Sequence, residues 1–199
     1  MGRRSSRDKI IEAGVATVHR RGFAASGVRD IAAAAEVPLG SFTNHFRSKD
    51  RFGVAVLDRY FAGLQTIIGQ TLRDPSRPPL ARLHAYFDAI TDRLAASGWR
   101  HGCLIGNLSL EVPEHSEALR VRLSELFAEW TRPFAEAVAA AQQAGELRHD
   151  LDADDLAAVL LAGWHGAMMR MKVDRSREPL DRFRRVVLAT VLAAPIPPP

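Results

Sequence analysis

SGVRDIAAAAEVPLGSFTNHF, Ser26 to Phe46, reads as two short helices with one tight turn between them. The alanine-rich run predicts a helix over Val28 to Ala35, with Ser26 as candidate N-cap, because a serine hydroxyl can accept from the unpaired N–H groups of a first turn. Glu36 and Val37 make the turn. Pro38 suits the start of the next helix, where its missing N–H is no loss, and that helix is expected to reach His45. Two helices of this length and spacing match a helix-turn-helix, whose second helix enters the major groove of DNA while helix N-termini and basic side chains hold the flanking phosphates. In PLGSFTNHF the small residues Gly40 and Ser41 fall on the side that would face the groove, and they permit close approach.

Charge follows the same division. Residues 1–51 hold ten Lys and Arg against five Asp and Glu, and the remaining 148 residues hold 17 against 18. The excess of +4 in the whole chain therefore belongs to its N-terminal quarter, as a phosphate-binding module on a neutral body requires. A basic arm with no DNA role is the alternative that charge alone leaves open.

Working outward, apolar and small residues recur at helical spacing almost throughout, and no alternating strand pattern occurs. Ile10, Ala13, Gly14, Thr17 and Val18 line one face of a first helix that Arg20-Arg21-Gly22 closes. Ser48 can cap a fourth helix through Tyr60 towards Leu72, and the prolines of DPSRPP, Asp74 to Pro79, end it. Further helices are predicted over Leu80 to Ala96, Cys103 to Leu110, Leu119 to about Gly145, Asp154 to Lys172 and Pro179 to Ala193. The expectation is an all-α chain of about nine helices: a helix-turn-helix domain at residues 1–50, a larger helical domain at 51–194, to which the family resemblance given below adds ligand binding and dimerisation, and a Pro-rich tail at 195–199.

Composition narrows the class. Of 199 residues 47% are hydrophobic and 25% charged, ordinary globular usage. The N-terminus has no apolar signal segment and no run approaches 18 apolar residues, so a cytoplasmic protein without a membrane partner is expected. One cysteine, Cys103, makes no internal disulfide and holds no zinc alone, and no metal or cofactor is expected.

The segments IIEAGVATVHRRGF, SGVRDIAAAAEV and GSFTNHFRSKD, in that order and spacing over about the first 55 residues, resemble the tetracycline-repressor (TetR) family of bacterial transcriptional regulators. The resemblance implies an all-α homodimer that binds a double-stranded DNA operator through its first three helices and is released when a small-molecule effector enters its C-terminal domain. Arg29 matches a position that in relatives reaches a base edge, with a phosphate contact as the alternative. Ser26 joins the DNA-binding set. Leu39, Gly40 and Ser41 match the groove-facing start of the recognition helix; Thr43, Asn44 and His45 match backbone or base contacts, and Lys49 a phosphate contact. Ile31, Ala32, Val37, Phe42 and Phe46 read as core. Two positions depart from the family pattern: Thr43 stands where tyrosine is usual, a hydroxyl with less reach, and Val18 where phenylalanine is common.

In this family the last two helices of each subunit pack against their mates. Leu156, Val159, Leu160, Gly163, Trp164, Ala167 and Met171 on one helix, and Leu180, Phe183, Val187 and Val191 on the next, form the apolar stripes expected to make that interface, although both could also bury against their own subunit. A second stripe, Leu161, His165, Met168 and Lys172, puts polar groups on an apolar helix and suggests an effector-pocket wall. Tyr60, His84, Phe87, Trp99, His101, Cys103, Asn107, Trp130 and Phe134 are the other pocket candidates, each with ordinary core packing as its alternative.

GCLIGNLSLE and GAMMRMKVDRSREPL resemble a subgroup of the family that responds to electrophiles and oxidants, in which a cysteine after glycine and a lysine at the end of the penultimate helix are linked to sensing. Cys103 and Lys172 match those positions. A thiol at a helix N-terminus near cations favours thiolate, while a small buried hydrophobe is its alternative role. A different class of function, an enzyme with His84, His101 or His165 as base and Cys103 as nucleophile, lacks any joining signature such as HExxH or GxSxG. A nonspecific DNA-compacting protein is disfavoured by the neutral body.

Overall fold

The computed structural model describes residues 5–191, with the side chain of Val191 excepted. Arg3, Arg4, the Pro-rich tail and Val191 as an interface side chain therefore lie outside the described residues. The order is α1 (Ser6–Arg21), α2 (Val28–Ala34), α3 (Leu39–His45), α4 (Lys49–Gln70), α5 (Pro79–Ala96), α6 (Leu104–Ser109), α7 (Glu117–Gln143), α8 (Ala153–Asp174) and α9 (Glu178–Arg182). The last helix continues through a π-helical stretch, Phe183–Leu188, into α10 (Ala189–Val191). No strand occurs among the described residues, as the all-α expectation required.

Contacts group the chain into two units, one of residues up to Leu64 with Cys103–Leu126, the other of Gln65–Gly102 with the residues from Phe127 on. The expected boundary after residue 50 falls at the start of α4, whereas the division by contacts falls within that helix, after Leu64.

In the first unit α1 starts at a reciprocal cap. Ser5 Oγ accepts from the Asp8 N–H (3.1 Å) and donates to the Asp8 carboxylate (2.6 Å), which holds that carboxyl below its usual range. The core is built on Phe42, Phe46 and Phe52, whose ring centroids lie 5.1–5.4 Å apart. Gly14 is required beside it: a Cβ there would stand 2.4 Å from the Phe52 ring. The α2–α3 turn closes with Val37 N–H donating to Ala32 O and Glu36 N–H to Ala33 O, and Glu36 takes φ 54°. That is a left-handed C-terminal cap of α2, a place glycine usually fills.

Ser26 corrects one expectation. Gly27, not Ser26, is the N-cap of α2, and the fully buried Ser26 hydroxyl donates to Gly22 O at 2.5 Å. It therefore braces the α1–α2 turn and offers nothing to DNA. Pro38 likewise sits at the N-cap of α3, one residue before the helix.

The second unit is organised on aromatic rings. Phe87 lies 4.9–5.8 Å from Tyr86, Phe134, Trp164 and Phe183. Pro133 interrupts α7 without ending it. Asp152 caps α8 through the N–H groups of Asp154 and Asp155, and α8 ends at Arg175 with φ 50°. The Arg175 guanidinium then donates to the Arg100 carbonyl (3.0 Å), tying down the turn at Gly98 and Trp99, both of positive φ.

Candidate DNA-reading surface and effector core

The start of α3 is open. Leu39 is 43% exposed, Gly40 has nothing within 4 Å of where a Cβ would lie, and Ser41 is half-buried. Asn44 and His45 are exposed at the far end of the same short helix. Thr43 is exposed too, and its hydroxyl donates to Gly40 O at 3.1 Å, so the shorter side chain found in place of tyrosine is engaged by its own helix. Arg29 projects from α2 into solvent and makes no ion pair among the described residues, whereas its neighbour Asp30 lies 3.6 Å from Arg21. A guanidinium left unpaired on the helix before the recognition helix is available to an acceptor on DNA. Lys49 is more constrained: its ammonium donates to Ala24 O (3.1 Å) and lies 4.8 Å from the centre of the Phe23 ring.

Three further cations gather at this end. A cleft of about 410 Å³ is lined by Arg7, His45, Phe46, Arg47 and Arg51, with Arg7 stacked 5.6 Å from the centroid of the Phe46 ring. None of the three arginines pairs with a carboxylate among the described residues. They come from α1, the α3–α4 turn and the first turn of α4, and sequence spacing alone did not single them out. The signal was present as the N-terminal charge excess, but only the fold brings Arg7 to Arg47 and Arg51.

The effector candidates divide between the units. Tyr60, Cys103 and Asn107 belong to the first, where Tyr60 packs edge-on to His19 at 5.6 Å. Cys103 is buried and caps α6, its sulfur accepting from the Gly106 N–H at 3.5 Å. Lys172 belongs to the second unit. In that unit Phe87, Trp130, Phe134 and His165 come together, joined by Tyr86, which the sequence reading missed. Trp130 donates its indole N–H to the Tyr86 hydroxyl (2.9 Å), Phe134 stands 4.8 Å from the Tyr86 ring, and His165 meets Trp130 at 5.0 Å. Met168 is buried on the same helix as His165. Trp99 and His101 are half-buried in the turn that follows α5. His84 is exposed, so it does not join this core.

His165 holds its place with Nδ1 2.8 Å from Leu161 O. A carbonyl only accepts, so Nδ1 carries the proton and Nε2 presents a lone pair. That Nε2 is buried without a partner, and so is the indole N–H of Trp164. Burial pushes the His165 pKa down, and the bond to Leu161 opposes this only in part. One acceptor and one donor are thus left unsatisfied in an aromatic interior, where unpaired polar atoms are rare.

The expected interface stripes are covered in part within this chain. Leu156, Leu160, Trp164, Met171, Leu180 and Phe183 are buried within this chain, Ala167 and Val187 are half-buried, and Gly163 is small because a Cβ there would come within 2.9 Å of the Phe183 ring. Val159 and Gly163 of the expected stripe stay exposed, and they continue into an uncovered line on α8 with Ala162, Gly166, Met169 and Val173, of which Val173 is 72% exposed. Val186 is exposed on the π-helical stretch that follows. No helix among the described residues is long and apolar enough to cross a membrane.

Known proteins are similar to this chain over most of its length. The family model described as "Bacterial regulatory proteins, tetR family" matches residues 10–56, and "Tetracyclin repressor-like, C-terminal domain" matches residues 79–187. The HTH-type transcriptional repressor DhaR of Mycobacterium sp. (strain GP1) is 45% identical over 96% of this chain and 95% of its own. The HTH-type transcriptional repressor NemR of Escherichia coli (strain K12) is 32% identical over 88% of each chain. The crystal structure of regulatory protein TetR from Rhodobacter sphaeroides superposes with a TM-score of 0.86 at 36% identity, over 90% of this chain and 95% of that one. These relatives are regulators and not enzymes. With its reading helices, its C-terminal body and its relatives in agreement, the chain belongs to the TetR family of DNA-binding transcriptional regulators.

Proposed function

We propose that the protein is a cytoplasmic homodimeric repressor that reads a palindromic operator with two copies of α3 and releases it when a small molecule enters the second unit. The observation that carries the DNA half of this reading is the open start of α3 beside unpaired Arg29, Arg7, Arg47 and Arg51. Leu39, Gly40 and Ser41 approach base edges, Arg29 grips a base, and Thr43, Asn44, His45 and Lys49 share the backbone with the three arginines of the cleft. Two-fold symmetry follows from the operator, because paired half-sites need paired reading heads. The uncovered apolar line on α8, with Val186, is the face that a second copy would bury.

The effector half is supported by the unpartnered His165 Nε2 and Trp164 Nε1. A donor on a small apolar molecule would satisfy the first atom, and an acceptor would satisfy the second. A second mode of release is favoured by Cys103, because the Gly106 N–H aimed at its sulfur would stabilise a thiolate. Oxidation or alkylation of that thiol would add bulk at the N-terminus of α6.

Selection from a random duplex pool, followed by footprinting on genomic DNA, tests the whole reading. A palindrome bound far more tightly than random DNA is the expected result, and equal affinity for both would overturn it. Operator release by hypochlorite or a reactive aldehyde should vanish in Cys103→Ser; if wild type and variant respond alike, the thiol is not the sensor.

A further inference from the structure

The α1–α2 turn is gripped by a residue far away in sequence. The N–H groups of Phe23 and Ala24 donate to the two carboxylate oxygens of Glu111, at 3.0 and 2.6 Å, across 88 and 87 residues of chain. Gly22 makes room for this: its φ of 86° turns the chain, and a Cβ at that position would stand 3.0 Å from the carboxylate. The opposite side of the same peptides is held by Lys49, which donates to Ala24 O and covers the Phe23 ring. Within the turn Ser26 bonds back to Gly22 O and Phe23 O, so that Phe23 to Ser26 forms one braced piece leading directly into α2.

Glu111 is itself firmly based. It follows α6, its N–H donates to Leu108 O, and Leu104, Ile105, Leu108 and Val112 around it are buried. One carboxylate taking two backbone N–H groups is a charge-assisted, two-point contact, which fixes direction as well as distance.

We propose that Glu111 is a positioning residue for operator reading: it ties the α1–α2 turn to the end of α6 and thereby sets the attitude at which α2 and α3 are presented to DNA. Movement of α6 then reaches the α1–α2 turn, and through it the reading helices, by way of this carboxylate. The proposal rests on the reading of α2 and α3 as the operator-recognition element. It predicts a loss confined to specific binding, because phosphate contacts tolerate a tilt of the head that base contacts do not.

The test uses the full-length protein and the duplex it enriches from a random pool, alongside a scrambled duplex of equal length. Both are titrated by fluorescence anisotropy against wild type, Glu111→Gln and Glu111→Asp, with melting temperature and hydrogen exchange of the Phe23 and Ala24 amides recorded for each. Gln keeps the size but faces an N–H with an NH₂, and is expected to weaken the enriched duplex about ten- to a hundredfold. The scrambled duplex should hold within about twofold, since its affinity comes from backbone contacts. Exchange at both amides should accelerate. Asp keeps the charge but is one methylene short, and should show the same selective loss at smaller size, which covers the case in which the Gln protein is too unstable to titrate. Faster exchange with unchanged operator affinity overturns the proposal. Equal losses on both duplexes that follow the melting temperature overturn it too, by reducing Glu111 to a structural brace. A wild-type protein that enriches no duplex would instead refute the operator reading itself.

Discussion

Around Phe52, in the first unit, three phenylalanines fill the centre and the cations Arg7, Arg29, Arg47 and Arg51 stand outside it, none in an ion pair with a carboxylate among the described residues. Around Tyr86, in the second, the polar groups are inside: a Trp130–Tyr86 hydrogen bond, a bare His165 nitrogen and an unpaired Trp164 N–H, all among aromatic rings. The first arrangement suits a long, charged, hydrated partner that stays outside. The second suits a small, largely apolar one that must be enclosed. On the proposed reading, one chain handles two kinds of ligand by reversing where it keeps its polar atoms.

The sharpest way to break the comparison is to empty the aromatic core. Phe87→Ala removes the ring that touches Tyr86, Phe134, Trp164 and Phe183, and is expected to cost about 3–5 kcal/mol of stability, read by chemical denaturation. A loss below about 1 kcal/mol would mean that this interior is loosely packed, not a built enclosure.

The exposed line on α8 comes next in size. Val159→Asp with Met169→Asp places two charges on side chains that are more than half exposed, so the monomer should fold unchanged. Self-association, followed by sedimentation, should weaken by about 2 kcal/mol or more if these residues are central to an interface. An unchanged sedimentation coefficient would move the dimer contact elsewhere.

On the first unit the same logic separates two kinds of arginine. Arg29→Ala should lose about 1–3 kcal/mol of preference for the selected palindrome over a variant with one changed base pair. Arg47→Ala should weaken every duplex alike and reduce the slope of log affinity against log salt by about one. If Arg29→Ala also lowers affinity uniformly, Arg29 holds a phosphate.

The motif region was legible because its determinants are local: the helix lengths, the Glu36 turn and the core residues Phe42 and Phe46 all fall within a few turns of chain, although Phe52, which completes their cluster, was not singled out. Helical periodicity located the later elements to within a few residues for the same reason. It could not tell which residues of the α8 stripe are covered, since Leu156, Leu160, Trp164 and Met171 are buried while Val159 and Gly163 beside them stay exposed. Ser26 misled because a serine before a helix is an N-cap by habit, and here the Gly22 carbonyl captures its hydroxyl. Arg7 with Arg47 and Arg51, Tyr86 with Trp130, and Glu111 with Phe23 and Ala24 are long-range pairings, and composition and spacing carry no record of them.

The smallest effect expected concerns protons and touches only the second unit. Burial lowers the His165 pKa from its ordinary value of about 6.5, so folded and unfolded chains are both neutral there at high pH and the group is indifferent to stability. As pH falls below about 6.5 the unfolded chain takes up a proton that the folded chain resists, and stability is lost down to the folded pKa. His165→Phe keeps a ring between Phe127 and Trp130 and removes both the titration and the bare nitrogen. Between pH 7 and pH 5 the melting temperature of the wild type should therefore drop more than that of the variant. Parallel curves would show that the buried imidazole is satisfied by water or that its surroundings open, and the contrast between a dry aromatic interior and a wet cationic surface would weaken accordingly.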